Sequence, residues 1–270
     1  MDADSSIRTE NAVSPLVMLD IDAPLATVRL NRPEKRNALS SEMLIQLGEA
    51  LEKIASESDV RLLVLTGQGE AFCAGTDVAA LAQLDESDAR RVAELGQAVC
   101  NQIEYLPVPA IAAINGVAAG GGCELARACH LRVAARSATF SLPEIKLGVI
   151  PAYGGTQRLG REIGRGRAME MILTGKTISA DEALQFGLVN RVVDREQLLA
   201  QTGTLAAEIL ALAPLAIRAC LTAVTQGLEM PLAEGLNVEA NLFASLFATN
   251  DVKEGTRAFL EKRKPLFTGT

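Results

Sequence analysis

A run of three glycines, Gly120 to Gly122, stands two positions before Glu124 in the most apolar part of the sequence. Three adjacent glycines are costly to order, because glycine loses the most backbone freedom on folding. Lacking Cβ atoms, they let backbone N–H groups approach another group closely, and a helix that follows adds the positive end of its dipole. The pattern therefore predicts an oxyanion hole, a site that stabilises developing negative charge.

A second glycine-bearing loop, Cys73–Asp77, also follows an apolar run and leads toward a helical pattern. Two such loops could each donate one N–H to the same oxygen atom. Phosphate binding is the alternative use of such loops. Neither loop fits the GxxxxGK[ST] or GxGxxG patterns, which argues against a nucleotide site.

Two carboxylates accompany these loops. Glu124 follows the glycine run, and Glu144 lies between Pro143 and Gly148. Two carboxylates beside an oxyanion hole could perform acid–base chemistry on a thioester, with one pushed toward its protonated form by the other. Spacing alone leaves open that each is an ordinary glutamate in solvent or in a salt bridge.

The surrounding pattern is one of strands, loops and helices in alternation, which is typical of an α/β fold with its site in the loops that follow strands. Apolar runs predict strands at 25–30, 60–65, 110–114, 131–135 and 139–140. Helical spacing predicts helices from Ser40 or Ser41, over 85–104 and over 125–129, and then over 196–212, 214–227, 231–246 and 251–262. We expect a flexible tail over 1–14, a core over 15–200 and a helical C-terminal region over 201–270.

Composition excludes several classes of function. The 270 residues carry a net charge of -7, no tryptophan and only 3% aromatic residues, so neither nucleic acid nor an anionic membrane is an expected partner. The five cysteines form no CxxC pair, which predicts free thiols in a reducing compartment and a cytoplasmic protein. One histidine and scattered cysteines offer no metal-ligand set. The N-terminus lacks the pattern of a signal peptide.

Several segments resemble the enoyl-CoA hydratase/isomerase family, the crotonases. The likeness runs from about Val17 to about Phe267. The segments that carry it are NRPEKRNALS (31–40), AFCAGTDV (71–78), PAIAAINGVAAGGGCELA (109–126), ATFSLPEIKLGVIP (138–151), GGTQRL (154–159), ILTGKTISADEALQFGLVNRVV (172–193) and AFLEKRKPLF (258–267).

The resemblance implies a spiral of ββα units and a helical C-terminal region that trimerises, often into a dimer of trimers. It implies an acyl-CoA thioester substrate and no separate cofactor, since coenzyme A is part of the substrate. The N–H groups of Thr76 and Gly121 would hold the thioester oxygen. Glu144 would deliver a proton to the α-carbon and Glu124 would activate water, so that a trans-2-enoyl-CoA becomes a 3-hydroxyacyl-CoA.

The resemblance also assigns substrate-binding positions. These are Arg29, Lys35, Ala74, Asp77, Val78, Gly120, Tyr153, Phe259 and Lys262. Arg29 and Lys35 could meet the nucleotide phosphates, or could belong to an ordinary charged turn. Phe259 and Lys262 match tail positions that in some members reach the coenzyme A of a neighbouring subunit, and a solvated helix end is the alternative.

Four positions depart from the family pattern. Thr76 replaces the usual alanine, Ala79 a lysine of some hydratases, Tyr153 the alanine of a Gly-Ala pair, and His130 an aspartate. We expect Thr76 and Tyr153 to restrict the acyl group, and His130 to be structural. Two other functions stay open: Δ3-Δ2 enoyl-CoA isomerisation, which needs one base and no activated water, and binding by a non-catalytic homologue.

Overall fold

The computed structural model of the protein describes residues 14–270, so the predicted tail over 1–14 lies outside the described residues apart from Ser14. The strands that this range contains are β1 Val17–Asp22, β2 Leu25–Leu30, β3 Leu62–Gly67, β4 Ala110–Ile114, β5 Val117–Ala119, β6 Leu131–Ala135, β7 Thr139–Ser141, β8 Thr177–Ser179 and β9 Arg191–Val193.

Within that range the strands form two sheets. The larger has the order β1-β2-β3-β4-β6-β9, antiparallel at β1-β2 and parallel elsewhere. The smaller has the order β5-β7-β8, parallel at β5-β7 and antiparallel at β7-β8. Consecutive strands β4 and β5, and again β6 and β7, go from the larger sheet to the smaller one. This recurring step gives the predicted spiral of ββα units.

Helices follow the strand pairs. They are α1 Ser41–Ser56, α2 Val78–Leu81, α3 Glu86–Glu104, α4 Gly121–Ala128, α5 Gly155–Ile163, α6 Arg165–Thr174, α7 Ala180–Phe186, α8 Leu198–Leu210, α9 Pro214–Gly227, α10 Leu232–Leu246 and α11 Asn250–Leu260. Short 3-10 turns span Pro33–Lys35, Glu144–Leu147 and Arg195–Gln197.

The core lies between the larger sheet and its helices. Every residue of β3 and β4 is buried, as their unbroken apolar runs predict for the middle of a parallel sheet. Helix α1 buries Met43, Leu47 and Leu51 and exposes its polar face. It begins after Ser40, whose side chain accepts a hydrogen bond from the Met43 N–H at 3.2 Å.

The C-terminal helices divide into two groups. Helix α8 packs against β4 and β6 of the larger sheet. Helices α9 and α10 pack against each other, and neither contains a buried residue. The two helices and the residues that end them expose large apolar side chains, among them Val224, Leu228, Leu236, Phe243 and Phe247.

No single helix within 14–270 is long and apolar enough to cross a membrane; only the pair 195–210 and 214–227, bent by 103°, passes that test by length and composition.

Candidate active site

A cavity of about 270 Å³ opens between the loop that follows β3 and the residue after β5, Gly120. Both predicted glutamates, Glu124 and Glu144, line it together with residues of both glycine loops. One wall is apolar and comes from α2, α3 and the segment after Glu144. The lining residues of that wall are Val78, Leu81, Leu84, Ala89, Val92, Ala93, Leu147, Val149 and Ile150.

The first glycine loop is fixed to the second by backbone pairing. Cys73 donates its N–H to Val117 O at 2.9 Å and accepts the N–H of Ala119 at 3.0 Å. At Gly75, with φ +99°, a Cβ atom would lie 2.7 Å from Ala119 O. A Cβ on Gly122 would lie 2.2 Å from Cys73 O. Only glycine allows the two loops to approach this closely.

The other two glycines of the run make room for the side chains of the site. Gly120 has φ +50°, and a Cβ there would lie 2.8 Å from Glu144 Oε1. A Cβ on Gly121 would lie 2.7 Å from Cε2 of the Tyr153 ring. Glycine is therefore required at three consecutive positions by three different neighbours, which offsets its entropic cost.

Thr76 lines the cavity, and Gly121 directly follows the lining residue Gly120. Among residues 14–270, no hydrogen bond has the N–H of Thr76 or Gly121 as its donor. Gly121 is the first residue of α4, where an N–H has no acceptor within the helix. Both N–H groups are therefore unsatisfied donors, as the predicted oxyanion hole requires.

Glu124 lies in the first turn of α4 and is 4% exposed. Its Oε1 accepts the N–H of Tyr153 at 2.9 Å and the N–H of Gly155 at 2.5 Å. Burial raises the pKa of Glu124 to about 7; the charge of Glu144 adds to that rise, while the two N–H donors and Arg158 oppose it. The carboxyl is held rigidly with a pKa suited to proton transfer near neutral pH.

Glu144 is the first residue of the 3-10 turn that follows Pro143. Its Oε2 is buried and has no hydrogen-bond partner among residues 14–270. Burial raises the pKa of this carboxyl above its usual range. A carboxyl that is easily protonated and otherwise unpaired is suited to donate a proton into the cavity.

Thr76 and Tyr153, two of the departures from the resembled pattern, contact each other. The Tyr153 hydroxyl lies 3.1 Å from Thr76 Oγ1, and the tyrosine is 2% exposed. Both residues line the cavity, so its polar wall includes a hydrogen-bonded pair that neither residue could form alone.

The model of the enoyl-CoA hydratase/isomerase family matches residues 20–270. The chain belongs to this family. The family identity agrees with the predicted spiral of ββα units.

Relatives and solved structures extend the similarity over nearly the whole chain. A crotonyl-CoA hydratase of Syntrophomonas wolfei is 42% identical over 93% of this chain and 97% of its own. A short-chain-enoyl-CoA hydratase of Clostridium acetobutylicum is 39% identical over 92% and 95%. The crystal structure of an enoyl-CoA hydratase from Bacillus anthracis superposes with a TM-score of 0.91 at 40% identity, over 94% of this chain and all of that one.

The site of this family member depends on residues that the sequence did not single out. Arg32 donates to Asp77 Oδ2 at 2.7 Å, so the predicted binding residue Asp77 is engaged in an ion pair, and its Oδ1 also caps α2. Asn37 is fully buried and donates to Ala71 O at 2.8 Å and to Phe72 O at 3.2 Å. These contacts hold the loop that carries Thr76. A buried asparagine in a turn motif gives no sequence signal for this role.

A partly buried network of charges connects the helix that carries Glu124 to its neighbours. Arg158 pairs with Glu104 at 2.7 Å, and Arg127 joins Glu104 to Glu162, at 2.9 Å to each. Glu162 also pairs with Arg132. The network connects α4, which carries Glu124, to α3 and α5, and breaking it would leave partly buried charges unpaired.

His130 lies in this region and has both ring nitrogens engaged. Its Nδ1 accepts the N–H of Ala110 at 2.9 Å, and its Nε2 lies 3.2 Å from Glu104 O. Burial lowers the pKa of the ring. These contacts agree with the structural role predicted for it.

Five predicted binding residues do not line the cavity: Asp77, which lies between the lining residues Thr76 and Val78, and four distant residues. Arg29 is on β2, and Lys35 is exposed in the first 3-10 turn. Phe259 is 83% exposed near the end of α11, and Lys262 follows that helix. Ala74, Val78, Gly120 and Tyr153 do line the cavity. Contacts of the four distant residues with coenzyme A stay predictions.

Proposed function

We propose that this protein is an enoyl-CoA hydratase, which adds water syn to a trans-2-enoyl-CoA and gives a 3-hydroxyacyl-CoA. The observation that carries the proposal is the pair Glu124 and Glu144 in one cavity beside two unsatisfied backbone N–H groups. The names of the relatives from Syntrophomonas wolfei and Clostridium acetobutylicum support the same reaction and a short acyl group.

In the proposed mechanism the thioester oxygen accepts the N–H groups of Thr76 and Gly121. Glu124, ionised and fixed by two backbone donors, takes a proton from water as the water oxygen attacks C3. The charge that develops on the thioester oxygen is stabilised by the oxyanion hole, where one donor is worth about 3 to 4 kcal/mol. Glu144 then delivers its proton to C2.

Two alternatives need only part of this site. A Δ3-Δ2 isomerase moves one proton and can use Glu144 alone, so its reaction does not require Glu124. A non-catalytic binding protein needs neither carboxyl. Glu124, however, accepts hydrogen bonds from two backbone N–H groups and is only 4% exposed. A carboxylate held in this way favours a reaction that uses two acid–base groups.

We further propose that the protein forms a homotrimer or a dimer of trimers in the cytoplasm and needs no cofactor beyond its acyl-CoA substrate. Exposed apolar side chains on α9 and α10 support self-association. The distant residues Phe259 and Lys262 would then meet coenzyme A bound to a neighbouring subunit, and Arg29 and Lys35 would meet its phosphates.

The experiment that separates these functions is product analysis in heavy-oxygen water. With crotonyl-CoA, a hydratase gives a product that gains one water and carries the label in its C3 hydroxyl. An isomerase interconverts vinylacetyl-CoA and crotonyl-CoA without gaining oxygen. Recovery of both esters unchanged would contradict either activity.

A further inference from the structure

Tyr153 contacts both halves of the candidate active site. Its hydroxyl lies 3.1 Å from Thr76 Oγ1, in the loop that supplies one oxyanion donor. Its backbone N–H donates at 2.9 Å to Glu124 Oε1. One residue therefore connects the oxyanion loop to the segment that holds a catalytic carboxyl.

The tyrosine ring has little freedom to move. A Cβ on Gly96 of α3 would lie 2.1 Å from its Cδ1, and a Cβ on Gly121 of α4 would lie 2.7 Å from its Cε2. The ring thus packs directly on the backbones of two helices. Arg158 also donates to Tyr153 O at 2.9 Å, which fixes the main chain at this position.

The phenol keeps its proton at any working pH, because burial raises its pKa to about 12. Either hydroxyl can therefore donate to the other. The backbone on either side of Thr76 is held by Leu39, which donates its N–H to Gly75 O at 2.8 Å and accepts the N–H of Asp77 at 2.9 Å. The hydroxyl contact adds a restraint on Thr76 itself, from a tyrosine that is held by packing. The Thr76 side chain is bonded to the same Cα as the N–H that would bind the thioester oxygen.

We propose that the Thr76–Tyr153 hydrogen bond is a positioning contact, which fixes the oxyanion N–H of Thr76 relative to the Glu124 carboxylate. This inference rests on the proposed hydratase function. It makes neither hydroxyl a catalytic group: both act by keeping an N–H donor and a base in register across one substrate.

The test is a double-mutant cycle on crotonyl-CoA hydration. Tyr153→Phe and Thr76→Val each remove one hydroxyl and keep the shape of the side chain. We expect each to lower kcat about tenfold with little change in KM, because a misplaced Thr76 N–H weakens binding of the thioester oxygen mainly when negative charge develops on it. The double variant should be no slower than the slower single variant, since all three lack the same bond. Thr76→Ser, which keeps the hydroxyl, should recover most of kcat.

Tyr105→Phe is the matched control: Tyr105 is the other tyrosine of the chain, is 54% exposed and lies outside the cavity. Multiplying effects in the double variant, or a Thr76→Ser variant as slow as Thr76→Val, would overturn the proposal. A rise in KM with kcat unchanged would overturn it too, because it would mark a substrate contact. A wild-type protein that does not hydrate crotonyl-CoA would refute the proposed function, and the positioning role with it; with an active wild type, the variants alone decide.

Discussion

Glu124 illustrates at the scale of one residue how burial sets chemistry. A glutamate in α4 would ordinarily face solvent, but here it is 4% exposed and its pKa is raised to about 7, chiefly by burial. The folded state therefore binds a proton in a pH range where the unfolded chain has released it. The raised pKa suits a base that works near neutral pH, but it lowers the free energy of unfolding.

This cost predicts the effect of Glu124→Gln on stability. The folded pKa lies above the ordinary value of 4.5, so wild-type stability falls as pH rises from the unfolded to the folded pKa. Glutamine does not titrate and escapes the penalty. The free energy of unfolding of the variant, minus that of the wild type, should therefore increase by about 2 to 3 kcal/mol between about pH 5 and about pH 8.

Urea unfolding at the two pH values measures this difference, with Glu49→Gln as the control at an exposed position of α1. The control should show a difference that hardly changes with pH. If the Glu124→Gln difference were equally flat, Glu124 would have an ordinary pKa in the folded protein.

Single residues also show what the sequence can and cannot predict. Glu124 and Glu144 were predicted from the family resemblance, because their motifs are local. The Tyr153 contact with Thr76 was not, because the two residues are 77 positions apart and only the fold brings them together. Asn37 and Arg158 act through contacts of the same long-range kind.

At the scale of elements, the junction between β5 and α4 decides the geometry of the site. The sequence predicted a helix from 125, whereas α4 begins at Gly121. Glycine has low intrinsic helix propensity, so the sequence pattern did not indicate the first turn of the helix. Tertiary contacts with Tyr153 and Cys73 stabilise that turn. Strands β1, β5, β8 and β9 were not predicted either: β1 has acidic residues on its exposed face, and the other three are only three residues long.

This junction predicts a strong effect of Gly121→Ala. The added Cβ would lie 2.7 Å from the Tyr153 ring and 3.1 Å from Leu39 Cδ1, so either the ring or the oxyanion N–H must move. We expect kcat for crotonyl-CoA to fall at least tenfold, since displacing one oxyanion donor costs a few kcal/mol. Steady-state kinetics measures it.

Gly203→Ala is the control for this substitution. Gly203 lies within α8, and a Cβ there would meet nothing within 4 Å. It should keep wild-type kcat and gain slightly in stability, because alanine favours a helix. A Gly121→Ala variant with the same kcat would show that the N–H of Gly121 does not depend on this packing.

At the level of the whole molecule, the helical C-terminal region has an apolar surface that the other elements of residues 14–270 leave exposed. The sequence predicted helices over 214–227 and 231–246, and the structure has α9 and α10 there. It could not show which faces stay open, since an amphipathic pattern is the same whether a helix packs on its own chain or on another. The structure leaves Phe243 64% and Phe247 59% exposed.

These exposed rings predict that assembly depends on α10. Phe243→Asp with Phe247→Asp should lower the mass measured by sedimentation velocity, because two charges would have to be buried at an apolar contact. Ile45→Asp, at a 50% exposed position of α1, is the matched control and should keep the wild-type mass. A double variant with unchanged mass would place the contact between subunits elsewhere.

We propose that Glu124 and Glu144 act together to hydrate an enoyl thioester. The most direct test of this proposal is the loss of the conjugated-enoyl absorbance of crotonyl-CoA, followed with wild type, Glu124→Gln, Glu144→Gln and the control Glu49→Gln. We expect rapid loss of absorbance with the wild type and with the control, and rates lower by about 100-fold or more in each active-site variant. Wild-type rates in either active-site variant, or no loss with the wild type, would contradict it.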